Sequence, residues 1–161
     1  MANNVVINVQ GDEPFVDGTS LKKLIDVFKY DSKREIALAS LMTPLKDYEE
    51  VKNPSVVKVI VDLNSFALYF SRSPIPFDRD NEQSPPYYKH VGVYAFRKQA
   101  LIEFSEQEMT PLESAEKIEC IRYLEHGKKI KMVETLNLNF EIDTPNDLER
   151  AKAHLNQLKS E

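Results

Sequence analysis

The chain opens on a short run, Val5 to Val9 (V-V-I-N-V), which ends in Gln10-Gly11-Asp12-Glu13-Pro14. The run is apolar and β-branched, the pattern of a buried strand, and Gly and Pro mark the turn after it. A buried strand of a parallel sheet needs neighbours on both sides. Almost no chain precedes this one, so the expectation is a doubly wound α/β domain entered after its first strands. Such a chain is incomplete at its N-terminus and is not expected to be catalytically complete alone.

The rest of the chain alternates strands and helices. Leu21, Leu24, Ile25 and Phe28 have helical spacing, with Thr19 or Ser20 placed to cap the helix. Ile36 to Met42 reads as a strand. Val56 to Leu63 and Phe66 to Phe70 read as two more, joined through a turn at Asp62-Leu63-Asn64-Ser65. A proline-rich loop from Ser71 to Tyr88 follows, then a strand from His90 to Phe96. Thr110-Pro111-Leu112-Glu113 is a capping box with Pro at the first helical position. The helix it starts carries Leu112, Ala115, Ile118, Ile121 and Leu124 at every third residue. Lys129 to Thr135 reads as a strand, and Thr144-Pro145-Asn146-Asp147 starts a last helix reaching about Leu158. This alternation predicts an α/β layer with a mainly parallel sheet, and residues 56–96 look like an antiparallel insertion.

Composition narrows the function. No apolar run approaches the ~20 residues that span a bilayer, and no leader-like segment stands at the start, which suits a cytoplasmic protein. Cys120 is the one cysteine, so neither an internal disulfide nor a cysteine zinc site forms. The net charge is −5 and no Lys/Arg-rich run stands out, which argues against nucleic acid. An acidic protein that handles phosphates needs local cations or a metal. The four glycines form no phosphate-binding loop.

Several residues carry two readings. Asp12 follows a strand and a Gly, where α/β sheets place ligands, and a carboxylate there suits Mg²⁺; equally, a turn Asp bonds its own backbone. Asp143, just before Thr144-Pro145, is a metal acid or a solvated turn residue. His90 at the start of its strand is structural or functional. Arg72 grips a carboxylate bidentately or pairs with nearby acids. Glu116, Glu119, Cys120 and Tyr123 share a helix flank, ordinarily the wet side of an amphipathic helix. No cation clearly activates Cys120, so inert packing is favoured for it.

Six segments together resemble the 3-deoxy-manno-octulosonate (Kdo) cytidylyltransferases, also called CMP-Kdo synthetases. They are N-V-Q-G-D-E-P at Asn8 to Pro14, N-P-S-V-V-K-V at Asn53 to Val59 and F-A-L-Y-F-S-R-S-P-I-P-F-D-R-D at Phe66 to Asp80. The others are H-V-G-V-Y-A-F-R at His90 to Arg97, P-L-E-S-A-E-K-I-E-C-I-R at Pro111 to Arg122 and I-D-T-P-N-D-L-E-R at Ile142 to Arg150. The resemblance implies a glycosyltransferase-A-like α/β fold and a homodimer, with residues 56–96 as the dimerisation and sugar-site insertion. It implies transfer of CMP from CTP to Kdo with Mg²⁺, releasing pyrophosphate, for lipopolysaccharide synthesis. Asp12 and Asp143 match the catalytic acids that hold the metal. Gln10 matches a substrate contact beside the metal, and Arg72, His90, Tyr94 and Glu119 match positions facing the sugar and its carboxylate. Three departures stand out. Cys120 replaces a glutamine that bonds the sugar, Glu141 replaces a glycine, and the N-terminal I-P-A-R and G-K-P motifs that bind CTP are absent. The resemblance also leaves room for an 8-amino Kdo analogue as substrate, or for a non-catalytic remnant of such an enzyme.

Overall fold

A computed structural model of the chain describes residues 4–11, 13, 16–80, 86–136 and 145–158. Asp12, Asp143, Glu141 and Thr144, the last of these expected to start the final helix, lie outside the described residues. The described elements are β1 (Val5–Val9), α1 (Gly18–Tyr30), β2 (Leu38–Pro44), α2 (Tyr48–Lys52), β3 (Lys58–Val61), β4 (Ala67–Ser71), β5 (Tyr88–Arg97), α3 (Lys98–Glu106), α4 (Pro111–Glu116), α5 (Ile121–Glu125), β6 (Ile130–Glu134) and α6 (Pro145–Leu158).

The sheet is α/β and mixed. Its strands run β4-β3-β5-β2-β6, with β1 on β5 beside β3. β1, β2, β3 and β6 point one way, but only β2 and β6 are parallel neighbours, because β5 is antiparallel to β1, β2 and β3. The antiparallel insertion expected over residues 56–96 is borne out: β3, β4 and β5 pair antiparallel with their neighbours, while β2 and β6 keep the parallel pairing. β1 also differs from its reading as a buried strand. Among the described residues it pairs with β5 alone, and Val6 and Val9 are exposed while Val5 and Ile7 pack inward. Val5 and Ile7 share the covered face, and Val9, which follows on that same side, is exposed.

Each face of the sheet is buried. On one, Ala39, Leu41, Val91, Val93 and Ala95 meet Leu24 and Phe28 of α1. Asp17 caps α1 by accepting from the amides of Thr19 and Ser20, at 2.8 and 3.0 Å, in place of the expected Thr19 or Ser20 caps. Asp17→Ala is expected to cost about 1 kcal/mol, the usual value of an N-cap, read from urea unfolding. On the other face, Leu38, Met42, Tyr94, Phe96, Ile130 and Met132 meet the β3–β4 hairpin and the α4–α5 segment. The hairpin turns where the sequence indicates: Asp62 Oδ1 accepts from the amides of Asn64 and Phe66, and Ser65 takes a left-handed φ of 59°.

The single helix expected from Pro111 is in fact two. Glu113 closes the capping box on Thr110 N, but Lys117 turns left-handed at φ 55° and ends α4. The break rotates Ile118, Cys120, Ile121 and Tyr123 into the core and leaves Leu112 exposed. The flank read as wet is thus largely dry: Cys120 and Tyr123 are buried, Glu116 is half-buried, and only Glu119 is open to solvent.

Candidate active site

The site grows from a gap along one edge of β5. β1 covers Val93 to Arg97 of that edge, and β3 covers Tyr88 and Lys89, with His90 N bonded to Val57 O at 2.8 Å. Between them, among the described residues, no strand pairs with Val91 and Gly92 on that edge. Gln10, leaving β1, lays its side chain there. A Cβ at position 92 would stand 3.0 Å from Gln10 Oε1, so Gly92 is what lets the amide approach the backbone. On the opposite edge the β2–β5 register slips between Ser40 and Leu41, so Gly92 and Val93 have no partner on β2. Gly92 therefore marks a bulge and a close approach at once.

His90 and Tyr94 stand either side of this bulge, on the face covered by the hairpin. The His90 ring lies edge-on to Phe70 at 4.9 Å between centroids and tilted to Tyr94 at 5.4 Å. Its Nε2 is 2.9 Å from Ser40 Oγ. Burial, helped by the charge of Lys89, lowers the imidazole pKa to about 3, so the ring is neutral at physiological pH. Burial raises the Tyr94 hydroxyl well above its ordinary value, beside the Cys120 thiol to which it is hydrogen-bonded. Burial also pushes that thiol up to about 12, so Cys120 stays protonated and unreactive. Glu119 is exposed at the α4–α5 connection and its charge reaches both Tyr94 and Cys120.

Arg72 stands apart from these, in the wall. Its Nε donates to Glu116 O at 2.7 Å, Nη1 to Pro54 O at 2.9 Å and Nη2 to Lys117 O at 3.4 Å. Among the described residues three of its five N–H groups have partners, which leaves two for a ligand. The Glu116 carboxylate holds the same corner, accepting from Ser71 Oγ at 2.7 Å and Arg72 N at 2.9 Å.

Sequence reasoning missed Lys58 and Ser40. Lys58 is fully buried, and its ammonium donates to the carbonyls of Asn53 (2.9 Å), Val56 (2.6 Å) and Arg72 (2.6 Å). Burial lowers its pKa, with Arg72 adding to the shift. A lone lysine inside V-V-K-V-I-V and a lone serine inside A-L-A-S-L-M were the available signals, since a polar residue in a buried strand needs a partner. Among the described residues no group of three or more His, Cys, Asp or Glu is placed to hold a metal. Among them, too, no helix is long and apolar enough to cross a membrane.

The fold is one shared by solved proteins. It superposes on a 4-diphosphocytidyl-2C-methyl-D-erythritol synthase from Anaerococcus prevotii with a TM-score of 0.56 at 21% identity, over 94% of this chain and 56% of that one. The chain belongs to the cytidylyltransferase family, whose model matches residues 1–130. It is 59% identical over 149 residues to a 3-deoxy-manno-octulosonate cytidylyltransferase of Christiangramia forsetii, covering 92% of this chain and 60% of the relative. Identity to the protein of that name in Flavobacterium johnsoniae is 51%, over 96% and 64%. A CMP:2-keto-3-deoxy-manno-octonic acid synthetase solved with CTP matches at 36% identity and a TM-score of 0.87, over 95% of this chain and 62% of that one. The chain thus spans about three fifths of the length of these proteins.

Proposed function

We propose that this chain is the sugar-binding part of a homodimeric enzyme that transfers CMP from CTP to 3-deoxy-manno-octulosonate, releasing pyrophosphate, in lipopolysaccharide synthesis. The observation that carries the reading is the convergence of Gln10, His90 and Tyr94 on the β5 bulge. It occurs in a chain whose similar relatives bear that activity in their names. The structural relative bound to CTP supports the nucleotide.

In this reading the sugar lies over the bulge and offers its anomeric hydroxyl to the α-phosphorus of CTP. Gln10, His90 and Tyr94 orient its hydroxyls, and holding the nucleophile in line is the protein's main contribution to rate. Arg72 faces the sugar carboxylate with the two N–H groups not turned to carbonyls. Glu119, exposed beside Tyr94, completes the sugar side. Asp12 and Asp143 are the residues that would hold Mg²⁺, through hard carboxylate oxygens. Such an ion, when bound, neutralises phosphate charge and orients the triphosphate. Cys120 is buried against Tyr94 and offers no strong polar contact to the sugar. That observation favours testing an 8-amino analogue beside Kdo.

The test joins the N-terminal segment of the Christiangramia forsetii relative to this chain and measures pyrophosphate release from CTP. Turnover with Kdo and Mg²⁺, stopped by EDTA, is expected. The chain alone is expected to bind no CTP in a calorimeter, and micromolar binding would contradict that. A folded chimera that is inert with both sugars, while the parent relative is active, would sink the reading.

A further inference from the structure

The hydroxyl of Ser40 sits at a crossroads with only one proton to give. Ser40 is fully buried, and its Oγ lies 2.9 Å from Val93 O, 3.3 Å from Val91 O and 2.9 Å from His90 Nε2. A carbonyl oxygen only accepts, so at 2.9 Å it takes the Ser40 proton. The remaining contact is satisfied only if the His90 ring donates, which places the ring proton on Nε2. The same hydroxyl pins the bulge, since Val91 and Val93 flank Gly92. His90 is 93% buried (7% exposed) between Phe70 and Tyr94, and its Nδ1 has no hydrogen-bond partner among the described residues.

We infer that Ser40 is a positioning residue: it fixes His90 in the Nε2–H tautomer and so presents Nδ1 as a hydrogen-bond acceptor toward a hydroxyl of the sugar. The ligand half of this statement rests on the proposed sugar site; the tautomer half does not. An acceptor at Nδ1 selects a donor and repels an anionic oxygen. The sugar carboxylate is then left to Arg72, and His90 reads a hydroxyl.

The tautomer is read by ¹⁵N correlation spectroscopy on this chain, whose three histidines are His90, His126 and His154. At pH 7 His90 should show one protonated nitrogen, Nε2, and one bare nitrogen, Nδ1. An Nδ1–H tautomer or an imidazolium overturns the proposal. Ser40→Ala should convert the single tautomer into an exchanging mixture. If that variant does not fold, Ser40→Cys keeps the volume with a much poorer partner and should act likewise. A folded variant with an unchanged Nε2–H signal would show that Ser40 does not set the ring. In the active chimera, Ser40→Ala should raise KM for the sugar about three- to tenfold, the worth of one hydrogen bond, with KM for CTP unchanged. An equal rise in both constants, or none, overturns the positioning role. A chimera without turnover defeats the functional reading and the ligand half, while the spectra still decide the tautomer.

Discussion

Lys58→Ala is expected to destabilise the chain by about 3–4 kcal/mol, among the larger single-residue effects in a domain of this size. An ammonium has three protons, and Lys58 places them on three backbone carbonyls, of Asn53, Val56 and Arg72. Truncation leaves those part-buried carbonyls without the ammonium, at roughly 1–3 kcal/mol each before water relieves part of the cost, and adds a cavity. Lys58→Met separates the two contributions, since it fills the space and donates nothing. It is expected to recover about 1 kcal/mol of the loss, the cavity's share. Urea midpoints of the three proteins decide this. Equal stability of Lys58→Met and wild type would mean that the three hydrogen bonds carry no net stability. The site should feel the loss as well. Lys58 ties the 53–56 loop to the Arg72 carbonyl, and the Arg72 guanidinium returns to Pro54, so the two cations lace the same two segments.

Stability is expected to fall steadily as pH drops below neutrality, and His90 is the cause. Its folded pKa, lowered to about 3 by burial, lies beneath an unfolded value near 6.5. Between those two values the unfolded chain holds a proton that the folded chain refuses. The stability of the neutral ring is therefore complete above about pH 6.5 and drains away as pH falls toward 3, at up to ~1.4 kcal/mol per pH unit. From pH 7 to pH 5 the loss should approach about 2 kcal/mol. His90→Gln should flatten the slope in this window, and an unchanged slope in the folded variant would assign it to other groups. A second window opens lower. The side-chain bond from Arg122, with the Thr110 amide, holds the Glu113 carboxyl below its ordinary 4.5. Its contribution is present above that pH and is lost as pH falls through the depressed value, so the two losses have the same sign.

How much of this was legible in the sequence depends on how local each cause is. The hairpin turn at Asp62, the capping box at Thr110 and the strand His90 to Phe96 are encoded within a few residues, and each forms. Asp17 was missed as the cap of α1 because Thr19 and Ser20 are equally good cap types and only the backbone shows which residue precedes the first turn. The period of three from Leu112 to Leu124 matched a helix, yet Lys117 breaks it, because burying Ile118 and Ile121 together with Tyr123 outweighs continued helical bonding. The antiparallel insertion at residues 56–96 was legible because two short strands around the Asp62 turn read as a hairpin; which neighbours β5 would take was not, since pairing is set by distant strands. Of the site, His90, Tyr94 and Gln10 were singled out from the resemblance and come to one place. Asp12 and Asp143 fall outside the described residues. Ser40 and Lys58 needed the third dimension: apart from the His90 ring their partners are backbone groups, up to 53 positions away for Ser40 and 14 for Lys58, and a carbonyl leaves no mark in a sequence.

The shared edge of β5 also sets an order of assembly. Val5 faces Arg97 and Val9 faces Val93, so the first strand of this chain waits for nearly ninety more residues before its partner exists. Closing so long a loop is slow compared with forming a local hairpin such as β3–β4. During synthesis, until β5 has emerged there is no gap, no bulge and no seat for Gln10. The cleft comes into being when β5 arrives, all at once, because the strand that forms its floor is also the one that brings its two walls together.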